Sequence, residues 1–350
     1  MPAARPTPAS ALARPTIYDV ARRAGVSKSL VSLVLRGEPH VSDARRQAVL
    51  EAIEELGYRP SRAASALASQ QTRSVGVLID DFHNPWFIEL LAGLRSILDP
   101  AGYTVSVADL QLEVASGRNP VDGFLAQHVD ALVIAAEPDP DLLRGVRVPV
   151  VVAGVRELGA AVLPVADVVA GDDERGGELA THHLLDLGHR NVGHLTGRGG
   201  PAAHRRRGYE KAMAAAGLQP LVVGAGRGTS EQDGYSGALE LLDCHPPVTA
   251  IVAANDVMAV GALAALRERG LRAPADVAVV GYDNSPLAAY HYLALTSVDP
   301  HSREIGAEVA RTLLARLKNP DAPRRHALIE PSLVTRPSTG QSPDRQIHEP

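Results

Sequence analysis

From Val75 onward the chain repeats one pattern: a short apolar run, then a stretch of helical periodicity. The runs are Val75–Ile79, Tyr103–Val107, Ala131–Ile134, Val148–Val152, Asn191–Leu195, Val248–Ala253 and Val277–Val280. A continuous apolar run of this length is a strand covered on both faces, and a helix after each strand supplies the right-handed crossover that a parallel sheet needs. The pattern predicts an α/β body of doubly wound parallel sheets. About 265 residues are more than one such layer normally holds, so two lobes are expected.

The residues before Val75 follow a different rule. In "TIYDVARRAGVSKSLVSLVLRG", Thr16 and Asp19 are spaced as a capping box for a first short helix. Gly25 stands where the chain must turn through positive φ, and Ser27 can cap a second helix with Leu30, Val31, Val34 and Leu35 at helical spacing. Two short helices joined by about four residues make a helix-turn-helix. A third helical pattern, Ser42 to Leu56, carries Val49, Ile53 and Leu56 on one face and stops at Gly57, which completes a three-helix headpiece.

Charge separates the two parts. Residues 14 to 73 hold ten Arg and Lys against six Asp and Glu, while the whole chain carries a net charge of −5. Arg and Lys side chains that neutralise phosphates drive association with nucleic acid, so only the basic front is expected to meet a polyanion. The single cysteine, Cys244, excludes an internal disulfide and a Cys-rich metal site. No apolar stretch reaches the roughly 18 residues that span a bilayer, and Met1–Pro15 is broken by prolines and lacks the apolar run of a secretory signal. A cytoplasmic protein without membrane contact is expected.

Seven blocks, "TIYDVARRAGVSKSLVSLVL", "SRAASALA", "VGVLIDDFHNPWF", "LGHRNVGHLTG", "RRRGY", "AANDVMAVGAL" and "VAVVGYDN", occur in an order that resembles the lactose-repressor/galactose-repressor family of bacterial transcription regulators, from about Thr16 to Pro337. The resemblance implies a helix-turn-helix headpiece (16–58), a hinge helix (59–73) and a two-lobed core like that of periplasmic sugar-binding proteins (74–337). The chain then crosses three times between an N-lobe (about 74–170 and 299–325) and a C-lobe (about 171–298 and 326–337). Residues 1–15 and 338–350 read as disordered tails.

In a helix-turn-helix the first residues of the second helix meet base edges, and small hydroxyls and helix N-termini bind phosphate. Lys28 and Ser29 hold the base-reading position, and Thr16, Ser27 and Ser32 can serve phosphates. Leu33 stands where the family commonly carries a polar or basic reader, and Arg36 where it commonly carries Asn. Leu33 therefore offers only apolar contact, and Arg36 is expected to take over polar readout or clamp phosphate. Leu67 stands alone among alanines; composition by itself reads it as core packing. The resemblance instead implies a wedge in the minor groove, with small residues such as Ala64 allowing close approach.

Ligands of open α/β sheets bind at the carboxyl ends of strands. There the resemblance and the pattern place Asp81 and Asn84 as hydrogen-bonding groups and Trp86 or Phe87 as a stacking platform. Arg205 matches the arginine that grips the effector, Asp256 is expected to accept two hydroxyls, and Asp283 is a further candidate. Helix capping is the alternative for any of these aspartates. "GAGRG" (Gly224–Gly228) lacks the Lys-Ser/Thr of a phosphate loop. His182, His183, His189 and His194 have no acidic or thiol partner at metal-site spacing and read as helix-surface and turn residues. Asp172-Asp173-Glu174 has no paired nucleophile. No cofactor, metal or catalytic set is expected. The resulting expectation is a repressor, a homodimer or tetramer on pseudo-palindromic operator DNA, controlled by a small polar effector such as a sugar. The rival is a solute-binding protein or sugar-processing enzyme sharing the two-lobed core.

Overall fold

The computed structural model describes residues 15–35, 37–59, 71–137, 139–155 and 166–340. The chain forms two compact units, Met1–Thr72 and Arg73–Pro350.

The first unit contains α1 (Ile17–Ala24), α2 (Lys28–Leu35) and α3 (Asp43–Leu56). The Asp19 carboxylate accepts from the Thr16 amide at 2.9 Å and the Thr16 hydroxyl at 2.7 Å, which fixes the start of α1. Gly25 ends it at φ +64° and Gly57 ends α3 at φ +60°, both in the left-handed region. Val20, Val31, Val34, Val49, Ala52 and Tyr58 form the core, with Ile53 and Leu56 packed against it.

The second unit is built on two six-stranded sheets. The first holds β1 (Ser74–Ile79), β2 (Thr104–Asp109), β3 (Ala131–Ala135), β4 (Val150–Ala153), β5 (Asp167–Gly171) and, from near the end of the chain, β11 (His326–Ile329). The second holds β6 (Val192–Leu195), β7 (Leu221–Val223), β8 (Ala250–Ala253), β9 (Ala278–Tyr282), β10 (Thr296–Asp299) and β12 (Ser332–Val334). The strand orders are β11-β5-β4-β3-β1-β2 and β12-β10-β9-β8-β6-β7, parallel throughout except for β12 against β10. One face of the first sheet is covered by α4 (Trp86–Leu98) and α11 (Ser302–Lys318); α5 (Leu110–Ala115) and α6 (Pro120–Ala126) follow β2. In the second lobe, α7 (Asp173–Asp186) and α8 (Gly200–Ala215) cover one face, and α9 (Glu231–Leu242) and α10 (Asp256–Glu268) the other. Among the described residues no helix is long and apolar enough to cross a membrane.

The pairs α4–α11, α7–α8 and α9–α10 are each locked by a reciprocal pair of glycines. A Cβ on Gly93 would lie 2.0 Å from the carbonyl oxygen of Arg303, and one on Gly306 would lie 2.1 Å from that of Leu90. Gly177 and Gly208 stand in the same relation to Arg205 and Glu174, and Gly234 and Gly261 to Met258 and Glu231. These glycines lower helix propensity and in exchange let backbones approach closely.

Two expected boundaries are corrected. Residues 326–329 do not belong to the C-lobe: they form β11 and pair in parallel with β5. Asp167 at the head of β5 holds both Arg316, through a buried two-pronged ion pair of 2.9 and 2.8 Å, and the Arg325 amide at 2.8 Å. This anchor keeps the returning chain on the first sheet, and the third crossing falls between β11 and β12. The tail does not begin at 338 either. Ser338 and Thr339 are buried, with the Ser338 hydroxyl accepting from the Thr296 amide at 2.8 Å and donating to the Val279 carbonyl at 2.7 Å. Polar side chains with partners from distant strands do not stand out in sequence.

Candidate functional site

In the headpiece the exposed start of α2 is built by capping. Ser27 Oγ accepts from the Leu30 amide at 3.2 Å, leaving Lys28 and Ser29 exposed on the first turn. Lys28 Nζ lies 3.4 Å from the Tyr18 hydroxyl and 5.1 Å from that ring's centroid. Tyr18 is 60% exposed and was not among the expected contacts, although an aromatic on the polar side of a short amphipathic helix is a signal for it. Thr16 is exposed and shares its hydroxyl with Asp19. Ser32 and Leu33 are half-buried, and Leu33 packs on the headpiece core. Arg36, Ala64 and Leu67 lie outside the described residues.

In the two-lobed unit Asp81, Asp256 and Asp283 follow the carboxyl ends of β1, β8 and β9. Arg205, on α8, is the centre of a buried network. Its Nε donates to Asp173 Oδ1 at 2.7 Å, one Nη donates to the Ala254 carbonyl at 2.6 Å, and the other stands 3.3 Å from Asp283 Oδ1. The guanidinium carbon sits 3.6 Å above the centroid of the Tyr282 ring. The side chains of Arg205, Asp173 and Asp283 are 11, 5 and 4% exposed. Asp173 was set aside in the sequence because nothing there pairs it with an arginine 32 residues away.

Burial opposes the Arg205 charge, but Asp173 and Asp283 outweigh it and hold the group firmly protonated. Burial pushes the Asp283 carboxyl up to about 8, against the pull of Arg205 and helped by the nearby charges of Asp256 and Asp173. Asp283 and Asn284 are at φ +99° and +42°, a conformation that costs free energy and is held by its surroundings. Asn284 is gripped by Asp299 and Arg336 at 3.0 and 2.8 Å. The 3.3 Å approach to Arg205 is an ion pair without hydrogen-bond geometry, so Asp283 Oδ1 is a buried acceptor with no hydrogen-bond donor.

Trp86 and Phe87, Asp256 and His194 depart from their expected roles, and Asp81 and Asn84 make local hydrogen bonds. Trp86 and Phe87 are 7 and 3% exposed and pack edge to face inside the N-lobe core with Leu90 and Ile305, because α4 begins at Trp86 and turns both rings toward α11. The exposed aromatic of "DDFHNPWF" is Phe82, at 53%. Asp81 is occupied locally, with Oδ1 accepting from the His83 amide at 2.8 Å and lying 2.6 Å from its Nδ1. Asn84 accepts from the Trp86 amide at 3.0 Å at the start of α4. Asp256 is 1% exposed and its oxygens are taken by Ser285 and Ser297, while Asn255 caps α10 through the Met258 amide at 2.7 Å. His194 is no turn residue but lies fully buried in β6, its Nδ1 2.9 Å from the Val252 carbonyl oxygen, and burial lowers its pKa to about 4.

The lobes touch through Glu137, which follows β3. Its Oε1 accepts from the Gly200 amide at the head of α8 at 2.6 Å, and its own amide donates to Asp80 Oδ1 at 2.9 Å.

Residues 16–61 match the bacterial regulatory proteins of the lacI family, and residues 181–339 match the periplasmic binding protein-like domain. The chain is 36% identical over 344 residues to the HTH-type transcriptional regulator CelR of Thermobifida fusca, covering 93% of this chain and 98% of that protein. A crystal structure of the lac repressor dimer bound to operator and the anti-inducer ONPF superimposes with a TM-score of 0.81 at 30% identity, over 94% of this chain and 100% of that one. A CelR–cellobiose complex superimposes with a TM-score of 0.68 at 32% identity, over 93% and 100%. With a helix-turn-helix headpiece ahead of two parallel-sheet lobes, the chain belongs to the lacI family of bacterial regulatory proteins and is a DNA-binding transcription regulator.

Proposed function

We propose that the chain is a repressor that binds a pseudo-palindromic operator as a homodimer, and that a small uncharged polyhydroxylated effector, a carbohydrate, bound between its lobes sets its operator affinity. The protein acts by binding and does not turn the effector over. The observation that carries this reading is the buried Arg205 between Asp173 and Asp283, with one oxygen of the Asp283 carboxyl still lacking a hydrogen-bond partner. A sugar hydroxyl both donates and accepts, so one hydroxyl can satisfy that oxygen while a neighbour accepts from the guanidinium. The cellobiose bound to the related CelR supports the same ligand class. Ile88, Leu112 and Val114 in the N-lobe and Tyr290 and Tyr292 in the C-lobe are each more than half exposed, which favours a subunit partner over solvent.

Lys28 and Ser29 read base edges, Thr16, Ser27 and Ser32 serve phosphates, and Tyr18 holds Lys28 in place. A ligand that prefers one lobe angle shifts operator affinity only by its differential affinity for the two states. The test is fluorescence anisotropy of the full chain on duplexes from its own upstream region, with and without cellobiose, glucose and related sugars. Wild type should respond to at least one saccharide. Arg205→Lys, which keeps the charge and loses the fork, should bind operator while losing most of that response. Operator binding indifferent to every saccharide would overturn the effector assignment.

A further inference from the structure

β1 opens directly after a sharp turn. Arg73, the first residue of the second unit, has φ +48°, a left-handed conformation that a residue with a side chain adopts only at a cost in free energy. Its amide donates to Asp130 Oδ2 at 2.7 Å, and its carbonyl accepts from the Thr104 amide at 2.8 Å and the Thr104 hydroxyl at 3.2 Å. Asp130 stands just before β3 and Thr104 opens β2, the two neighbours of β1 in the sheet. The Asp130 amide also donates to the Ser74 carbonyl at 2.8 Å, and the Arg73 side chain lies against the turn at Gly102, where a Cβ would be 3.0 Å from one Nη. The ladder of β1 needs no such grip: Ser74–Ile79 already pair with β2 and Val75–Ile79 with β3. What the grip fixes is the direction in which the chain leaves the sheet toward Thr72 and the headpiece.

We infer that Asp130 is a positioning residue for operator binding: by holding Arg73 in its left-handed turn it sets the direction in which each subunit's chain leaves the core, and so the spacing at which a dimer presents its two headpieces. The reason is one of effective concentration. Once one headpiece is on its half-site the second binds as an intramolecular event, and a connection that leaves the core in one direction confines that headpiece near its target more than a connection free to swing. A carboxylate suits the task, because its charge strengthens the hydrogen bond from an amide. This rests on the reading that the protein binds a pseudo-palindromic operator as a homodimer.

The experiment uses the full chain as wild type, Asp130→Ala, Asp130→Asn and Arg73→Pro. Fluorescence anisotropy is followed on the tightest-binding duplex from the protein's own upstream region and on a shortened duplex that holds one of its half-sites. Asp130→Ala leaves the Arg73 amide without this acceptor and should lose at least about fivefold in affinity for the full duplex, while its half-site affinity stays within about twofold of wild type. Arg73→Pro removes the amide and fixes φ at about −65°, so it should lose as much by a route that leaves Asp130 intact. Asp130→Asn keeps an oxygen that can accept from Arg73 and should hold most of the affinity. A ratio of full-duplex to half-site affinity unchanged from wild type in Asp130→Ala and Arg73→Pro would overturn the inference, as would equal losses on both duplexes, the mark of a general loss of folded protein. Failure of the dimeric reading is distinct: wild type itself then binds the full duplex no more tightly than the half-site, and the inference falls with it.

Discussion

Asp256 Oδ2 accepts hydrogen bonds from both the amide and the hydroxyl of Ser285, at 2.7 and 2.8 Å, while its other oxygen accepts from the Ser297 hydroxyl at 2.6 Å. One carboxylate on the first turn of α10 thereby fixes the loop after β9 and the strand β10. That loop carries Asp283, so Asp256 positions the segment in which Asp283 stands.

Asp256→Ala should therefore be a stability variant first. It leaves three buried donors unsatisfied, each costing about 1–3 kcal/mol, for a loss of about 3–9 kcal/mol in urea denaturation of the free protein. Ser297→Ala removes the donor to Asp256 Oδ1 and also the acceptor of the Asn284 amide, 3.0 Å away, and should cost about 1–3 kcal/mol.

Burial raises the Asp256 pKa to about 6, against the pull of its hydrogen bonds from Ser297 and Ser285. The folded chain therefore binds this proton more tightly than the unfolded chain between pH of about 4 and about 6. Asp256's contribution is fully present below that window and is lost as pH rises through it, by about 3 kcal/mol in total. In denaturant titrations across this range, wild type should lose stability with rising pH relative to Asp256→Asn, whose side chain does not titrate. A difference between the two that stays constant with pH would refute this.

Gly208→Ala should cost about 3 kcal/mol, because the new Cβ would lie 2.0 Å from the Glu174 carbonyl oxygen and α7 and α8 would have to part. Gly123→Ala should have the opposite sign. Gly123 lies inside α6 with nothing within 4 Å of its Cβ position, so alanine gains about 0.5–1 kcal/mol of helix propensity. Thermal melts of the two variants, read against wild type, check both signs.

Lys28→Ala should weaken operator binding by about 1–3 kcal/mol and relax the preference at one base position in each half-site, as measured by anisotropy on a panel of single-base variants. Tyr18→Phe keeps the ring under Lys28 and loses the 3.4 Å hydroxyl contact, so its effect should be smaller. A uniform loss over all duplexes would make Lys28 a phosphate contact instead.

What the sequence alone determined are the features that rest on neighbouring residues. The Thr16–Asp19 cap, the turn at Gly25, the amphipathic faces of the headpiece and the central strands of both sheets are set by short-range spacing and by apolar periodicity, and all stand where that spacing puts them. The helix that carries Arg205, after β6, was legible as well, through the block around it. Tertiary structure decided which polar groups were left over for a ligand. Asp256 reads as an open acceptor until Ser285 and Ser297, 29 and 41 residues away, close on it. Trp86 and Phe87 read as a platform until α11, more than 200 residues later in the chain, covers them. Asp173 gains its meaning from Arg205 on the next helix, and Glu137 from Gly200 in the other lobe. A carboxylate's role depends on the donors around it and on its exclusion from water, and both are long-range properties that no local pattern encodes.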